Sequence, residues 1–205
     1  MESDIKSNNP KVLAIFDFDG TITKRDTLPD FLLFSFGWKK FLLRLPLIIY
    51  MKTVSCLGML SSDQAKEKVL KSFLQGIRKN DLIRMGENYK HQINKIVRSD
   101  AIFEIIKHQQ AGHKVIIISA SIYEWIAPWA KERNIELVLS TEMEVHNDLL
   151  SGYFSTPNCK GIEKVSRLKQ AYPDFKNYTI YVYGDSSGDK ELLKIANYPY
   201  YKSFR

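Results

Sequence analysis

Cysteine is scarce in this chain: Cys56 and Cys159 are the two among 205 residues, and they lie far apart. They build no disulfide framework, and without a companion histidine spacing they form no zinc pattern. Both read as free thiols that pack in the interior. The four histidines, His91, His108, His113 and His146, show neither metal-ligand nor triad spacing and are assigned to the surface or to helix ends. Met1 to Lys11 carries no apolar run of the signal-peptide kind, so the protein is expected to begin there and to be cytoplasmic. No uncharged apolar run approaches the ~18 residues that a bilayer span needs, which excludes a transmembrane helix. Acidic residues are missing altogether between Asp30 and Asp63. Internal repeats and low-complexity tracts are absent too.

What is present describes a folded enzyme-sized chain. Hydrophobic residues make up 44% and charged residues 26%, a balance that can bury a core and lacks the polar bias of disorder. The length suits one α/β core with a modest insertion. The formal charge of +7 attracts phosphate-bearing partners in general; by itself it is no reason to assign nucleic-acid binding, which is not expected.

Three short apolar runs end in polar residues. Val12 to Phe18 runs into Asp17, Asp19 and Gly20; Lys114-Val-Ile-Ile-Ile-Ser119 follows Gly112; Tyr178 to Tyr183 precedes Gly184-Asp185. Runs of this length read as buried parallel strands. Helical periodicity lies between them, at roughly 100–111, 122–133, 161–171 and 188–195. Strands alternating with helices predict a parallel sheet with helices on both faces. A further strand is predicted over Glu136 to Val145, and Asn147-Asp148 before Gly152-Tyr153-Phe154 predicts a hairpin. From Thr27 to Ser99 no comparable strand occurs. Ser61 with Gln64 has capping-box form, Ala65, Val69, Phe73 and Leu74 share a helical face, and a second amphipathic helix is predicted over Asp81 to Val97. The interval reads as a helical cap, giving a core of 1–26 and 99–205 and a cap of 27–98.

In an open parallel sheet the ligand site lies beyond the carboxyl ends of the strands. The residues gathered there are Asp17 and Asp19, Ser119, and Asp185. Carboxylates from two strand ends suit a hard cation with oxygen ligands, as Mg²⁺ requires. The Ser119 hydroxyl, with backbone N–H groups at a helix start near Ala120 and Ser121, suits a phosphate. Taken singly each residue has a plain structural explanation, since strand-end aspartates form turns and Ser119 can cap a helix. Turn preferences alone do not call for acid, hydroxyl, lysine and acid at four separated sheet ends.

Four motifs occur in order: Asp17-Phe18-Asp19-Gly20-Thr21, Ser119 after its apolar run, a lysine near Gly161-Ile-Glu-Lys164, and Gly184-Asp185-Ser-Ser-Gly-Asp189. With them the chain resembles the haloacid dehalogenase superfamily of phosphatases from Val12 to Leu193. The resemblance implies a Rossmann-like, doubly wound core with an inserted helical cap. It implies an aspartyl-phosphate formed on Asp17, proton transfer by Asp19, phosphate binding by Ser119, Ala120 and Lys164, and Mg²⁺ held by Asp17, Asp185 and the backbone carbonyl of Asp19. Gly20 and Thr21 belong to the same loop, and Asp189 supports the metal shell or orients the lysine. Lys160 is the competing lysine. A dehalogenase would not need the metal-site acids, and a phospho-accepting receiver domain would not need a cap or a second aspartate poised for hydrolysis. A third alternative is an inactive member that binds lipid or nucleic acid through its cap.

Within the superfamily, Gly161-x-x-Lys164-Val165 resembles proteins like phosphoserine phosphatase and phosphatidylglycerophosphatase. The substrate is then a small phosphorylated metabolite or a lipid phosphate. Asp26 stands where phosphoserine phosphatases place a substrate-recognising glutamate; it faces a substrate amino group or caps the first cap helix. The Phe-x-x-Ser-Leu-x-x-Arg-Val cap motif of those enzymes is missing, and Gly184-Asp-Ser-Ser-Gly-Asp189 departs from their Gly-Asp-Gly-x-x-Asp, which weakens phosphoserine specificity. Of the 30 residues from Phe31 to Leu60, 20 are apolar, interspersed with Lys39, Lys40, Arg44 and Lys52. They either hide against one another within the cap or form an interfacial element that meets anionic headgroups, making the protein membrane-associated.

Overall fold

A computed structural model describes residues 11–204, so the expectation for Met1 to Pro10 lies outside the described residues. Five strands form one parallel sheet in the order β3-β2-β1-β6-β7, with β1 at Val12–Phe16, β2 at Lys114–Ile122, β3 at Leu137–Thr141, β6 at Thr179–Gly184 and β7 at Tyr198–Tyr201. A separate antiparallel hairpin pairs β4 (Met143–His146) with β5 (Leu149–Phe154).

The alternation of a strand splits its side chains between two layers. Leu13 and Ile15 of β1 join Ile116, Ile118, Ile180 and Val182 on one face, over which helix α6 (Ile162–Ala171) packs Val165 and Leu168. Ala14 and Phe16 join Val115, Ile117 and Tyr183 on the other face, beneath α4 (Ser99–Gln110) and α5 (Tyr123–Glu132). Each such fully buried aliphatic or aromatic side chain contributes roughly 1.5–3 kcal/mol. Helices thus cover both faces, as the alternation of strands and helices predicts.

Between β1 and α4 lie α1 (Thr27–Cys56), α2 (Ser62–Leu74) and α3 (Lys79–Ile93). The capping box of α2 forms as read: Ser61 Oγ accepts from Gln64 N at 3.1 Å while Gln64 Oε1 accepts from Ser61 N at 3.1 Å. The chain enters and leaves this helical layer side by side, where Thr23 bridges Val97 and Arg98 N donates to Ile22 O at 2.8 Å. The layer shares a hydrophobic cluster with the sheet. Phe31 stacks on Trp125 at 4.5 Å, and α3 approaches α5 so closely that a Cβ at Gly86 would fall 1.9 Å from Glu124 O. The other edge of the layer is polar. Asn158 donates to Asp63 at 2.7 Å, and Lys160 reaches Ser62 and Asp63.

Several elements differ from the sequence reading. The run Glu136 to Val145 divides: Leu137–Thr141 belongs to the main sheet and Met143–His146 turns away into the hairpin, whose backbone is held by the turn after α2, with Gly76 N donating to Leu150 O at 2.9 Å and Leu150 N to Ile77 O at 2.8 Å. Strand β7 was not foreseen, because Tyr198-Pro-Tyr-Tyr201 is a wholly exposed edge and carries no alternation. The helix expected near Ala120 starts at Tyr123, since β2 continues to Ile122. The second cap helix ends at Ile93, and the chain then crosses back to the core. Pro46 sits within α1 without breaking it, and the non-helical residue is Gly37 at φ 75°. Cys56 is exposed rather than packed. His108, placed at a surface or helix end by the sequence, ends α4 but is buried, its Nε2 3.0 Å from the Tyr183 hydroxyl.

Candidate active site

Asp17 follows the last residue of β1, and its amide still belongs to the sheet, donating to Tyr183 O at 2.9 Å. The carboxylate therefore projects past the strand end. The chain next makes a wide turn closed by Thr23 N donating to Phe18 O at 3.0 Å, in which Gly20 adopts φ 77°. Glycine alone tolerates this turn cheaply, and here a Cβ would also fall 2.4 Å from Asp185 Oδ2. The first motif is thereby pressed against the fourth. Thr21 Oγ1 donates to Asp185 Oδ1 at 3.4 Å.

Lys164 lies in the first turn of α6, whose start is tied to the fourth motif by Gly161 N donating to Gly188 O at 2.7 Å. Its ammonium is buried and donates to Asp17 Oδ1 at 2.6 Å, Asp189 Oδ1 at 2.6 Å and Ile118 O at 2.8 Å. All three ammonium hydrogens have acceptors. Asp189 in turn accepts at Oδ2 from Asp185 N at 3.2 Å, Ser186 N at 2.9 Å and Ser186 Oγ at 2.8 Å. A Cβ at Gly184 would fall 2.6 Å from Asp189 Cβ, so the loop closes over the lysine. Lys160 makes none of these contacts and stands at the rim.

Burial opposes charge on every member of this group, and the neighbours decide each outcome. Burial pushes Asp17 up to about 7 although the Lys164 charge pulls it down. Burial would discharge Lys164, but Asp17 and Asp189 outweigh it and hold the ammonium above the usual lysine range. Asp189 is also buried, yet the Lys164 charge keeps it below the usual carboxylate range. Asp19 points elsewhere: its carboxylate accepts from Thr27 N at 2.7 Å and from the Ser121 hydroxyl. Burial first, then the negative charge of Asp26, pushes Asp19 up to about 6. The two aspartates of the first motif thus differ in partner and environment.

An open cavity of about 450 Å³ is lined by Asp17, Asp19, Ser119, Ala120, Lys164 and Asp185, so the residues singled out at the strand ends meet in one place. Asp26 lines the same cavity, where it caps α1 by accepting from Leu28 N at 2.9 Å. One expected contact changes. No helix starts at Ala120, and the Ser121 amide donates to Ser119 Oγ at 3.1 Å, which leaves the Ser119 hydroxyl hydrogen, rather than that amide, for an anion. The sequence reading passed over Lys66, which comes from α2 to line the cavity and donates to Ala120 O at 2.5 Å and Asn158 Oδ1 at 3.0 Å. Burial lowers Lys66 to about 8 against the pull of Asp19, Asp26 and Asp63.

Three carboxylates, Asp17, Asp185 and Asp189, bring oxygens within 4.8 Å of one another. Against them stands the single ammonium of Lys164, so the group carries an excess of negative charge in a buried place and offers hard oxygen donors. A divalent Mg²⁺ fits such a set. Asp189 already spends both oxygens on Lys164 and the loop amides, which leaves Asp17 and Asp185 as the carboxylates able to hold the ion. The Asp19 carboxylate is outside the cluster.

The parallel α/β sheet places this aspartate-and-lysine site past its strand ends, where ligands of open sheets bind. Residues 14–194 match the family model of haloacid dehalogenase-like hydrolases, and the chain belongs to that family. It is 32% identical over 204 residues to protein CicA of Caulobacter vibrioides, an alignment covering 95% of this chain and 87% of CicA. Among solved structures, a protein of unknown function from Bordetella pertussis superposes with a TM-score of 0.73 at 19% identity, covering 91% of this chain and 87% of that one. A phospho-aspartyl intermediate analogue of phosphoserine phosphatase superposes with a TM-score of 0.63 at 16% identity, covering 92% and 84%. At these identities the superpositions speak for the fold.

Proposed function

We propose that this chain is a magnesium-dependent phosphomonoesterase that works through a phosphorylated Asp17, with 27–98 as its cap. The observation that carries the reading is the contrast in partners between the two aspartates of one motif: Asp17 is held by Lys164 at 2.6 Å, whereas Asp19 has no lysine on it and accepts from Thr27 N at 2.7 Å and from the Ser121 hydroxyl. One is set to attack and the other to carry a proton. In the first step an Asp17 oxygen bonds to phosphorus, the ester P–O bond breaks, and Asp19 gives its proton to the departing alkoxide. In the second step Asp19 takes a proton from water, the water oxygen bonds to phosphorus, and the bond to Asp17 breaks, releasing inorganic phosphate. Mg²⁺ held by Asp17, Asp185 and the Asp19 backbone carbonyl would supply charge neutralisation for the arriving phosphate. Lys164 steadies the same charge from the other side, Ser119 donates its hydroxyl to a phosphate oxygen, and Asp189 holds Lys164 in place.

The lining of the cavity supports a substrate class. Lys24, Arg25, Lys66 and Lys160 line it in addition to Lys164, beside Asp26 and Asp63, and these cations favour a phosphomonoester bearing a second anionic group. Phosphoserine and phosphatidylglycerophosphate both have one, a carboxylate in the first and a phosphodiester in the second. Release of phosphate from a panel containing both, with and without Mg²⁺, tests the proposal. Metal-dependent turnover of at least one member is expected, with Asp17→Asn lowering kcat by more than a thousandfold. Full metal-dependent turnover by Asp17→Asn would overturn the mechanism.

A further inference from the structure

Helix α1 is apolar on two sides, and the fold covers one of them. Phe31, Leu32 and Met51 are buried, and Phe36, Phe41 and Leu47 pack on the same cluster. On the outside, Trp38, Leu42, Leu43, Ile49, Tyr50 and, just past the helix end, Leu57 are exposed. Leu43 is 75% and Trp38 63% exposed. At ~100° per residue these six side chains fall within an arc of about 140°. The outer face of a surface helix is ordinarily polar, and an apolar face of this size marks an interaction site.

The charges decide what covers it. Lys39 lies within the arc and Lys52 beside it, both exposed, whereas Lys40 and Arg44 are half-buried and fall toward the covered side. No acidic residue occurs from Phe31 to Ser62. An isologous contact between two copies would set this cationic face against itself, with nothing local to pair it. An anionic bilayer pairs the cations with headgroups while the apolar arc enters the acyl boundary. No helix among the described residues is long and apolar enough to cross a membrane, so α1 lies along the surface. We propose that the outer face of α1 docks this protein on an anionic membrane surface. The helix begins at the catalytic cavity, which Asp26 and Leu28 line, and Trp38 comes directly after the kink at Gly37.

The whole chain and its Asp17→Asn variant are mixed with vesicles of phosphatidylglycerol and phosphatidylcholine in equal parts, or of phosphatidylcholine alone. Flotation measures binding, and tryptophan emission reports the contact, because Trp125 and Trp129 are fully buried whereas Trp38 is exposed. The expected result is binding to the anionic vesicles with a blue shift that Trp38→Phe abolishes, at least tenfold weaker binding to phosphatidylcholine, and equal binding by Asp17→Asn. Leu43→Glu with Ile49→Glu, both at exposed positions, lowers the affinity at least tenfold without changing the thermal melt. No binding, equal binding to neutral vesicles, or binding that the double variant leaves intact would overturn the proposal. So would a dimer in solution that the double variant dissolves in the absence of vesicle binding. Because Asp17→Asn removes turnover and leaves α1 untouched, failure of the docking surface and failure of the phosphatase reading show separately.

Discussion

Replacing Asp189 by Asn tests the buried charge network at its least conspicuous member. Asp189 keeps one oxygen 2.6 Å from Lys164 and uses the other to accept from the Asp185 and Ser186 amides and the Ser186 hydroxyl. An asparagine can keep its oxygen at only one of these two places. Facing the lysine, its amide nitrogen meets two N–H donors, which lose acceptors at roughly 1–3 kcal/mol each. Facing the loop, it sets a donor against the ammonium. Lys164 is left with one carboxylate where it had two, and breaking a buried ion pair costs about 3–5 kcal/mol. Loss of the Asp189 charge also relieves some repulsion on Asp17, which works against the loss. Urea unfolding in the presence of a chelator, which removes metal from the comparison, is expected to show a fall of about 3 kcal/mol or more, a large share of the ~5–15 kcal/mol of an ordinary domain. Turnover is expected to fall about a hundredfold or more as Lys164 loses its setting. An unfolding midpoint unchanged from the parent, together with activity within tenfold of it, would refute this account of the network.

Two further perturbations act through pH. Burial, then the neighbouring His113, holds His108 down to about 4 from the ordinary 6.5, so the unfolded chain binds the extra proton between those values. The stability this contributes is present above about 6.5 and lost as pH falls toward about 4, amounting to at most about 3 kcal/mol; His108→Gln is expected to lose less stability than the parent between pH 7 and pH 4.5 in urea unfolding, and an identical loss would count against it. Asp26→Asn keeps the cap on Leu28 while removing a charge that raises Asp19. Since Asp19 must be protonated to release the alkoxide, kcat/KM falls as pH rises through its pKa, and in the variant that fall is expected at lower pH; a profile that does not move would separate Asp26 from Asp19.

The central sheet was readable because β1, β2 and β6 are buried on both faces, and such strands write themselves as unbroken apolar runs before a polar end. Asp17, Ser119 and Asp185 were readable for the same reason, each standing at or near a strand end that the run defines, whereas Lys164 was singled out by the family resemblance of Gly161-x-x-Lys164-Val165. Strand β7 escaped because an exposed edge of Tyr198-Pro-Tyr-Tyr201 needs no apolar pattern. The divided run 136–145 escaped because Leu137–Thr141 and Met143–His146 are both apolar enough to read as one strand, and only the hairpin's bonds to the turn after α2 pull them apart. Lys66 was missed because its role is tertiary. A lysine on a helix reads as solvated until α2 is laid against the loop carrying Asn158.

The helical layer over the site is mounted unequally. Along α3 and α5 its backbone is pressed against the core at Gly86, and Phe31 and Trp125 close the gap with stacked rings. Across the cavity it is held by Asn158 on Asp63, Lys160 on Ser62 and Lys66 on the Ala120 carbonyl, bonds that water can replace. The two edges thus differ in kind, with apolar contact on one side and polar bonds on the other. Raised ionic strength therefore weakens the charged bonds of the polar edge and leaves the hydrophobic cluster that the layer shares with the sheet in place.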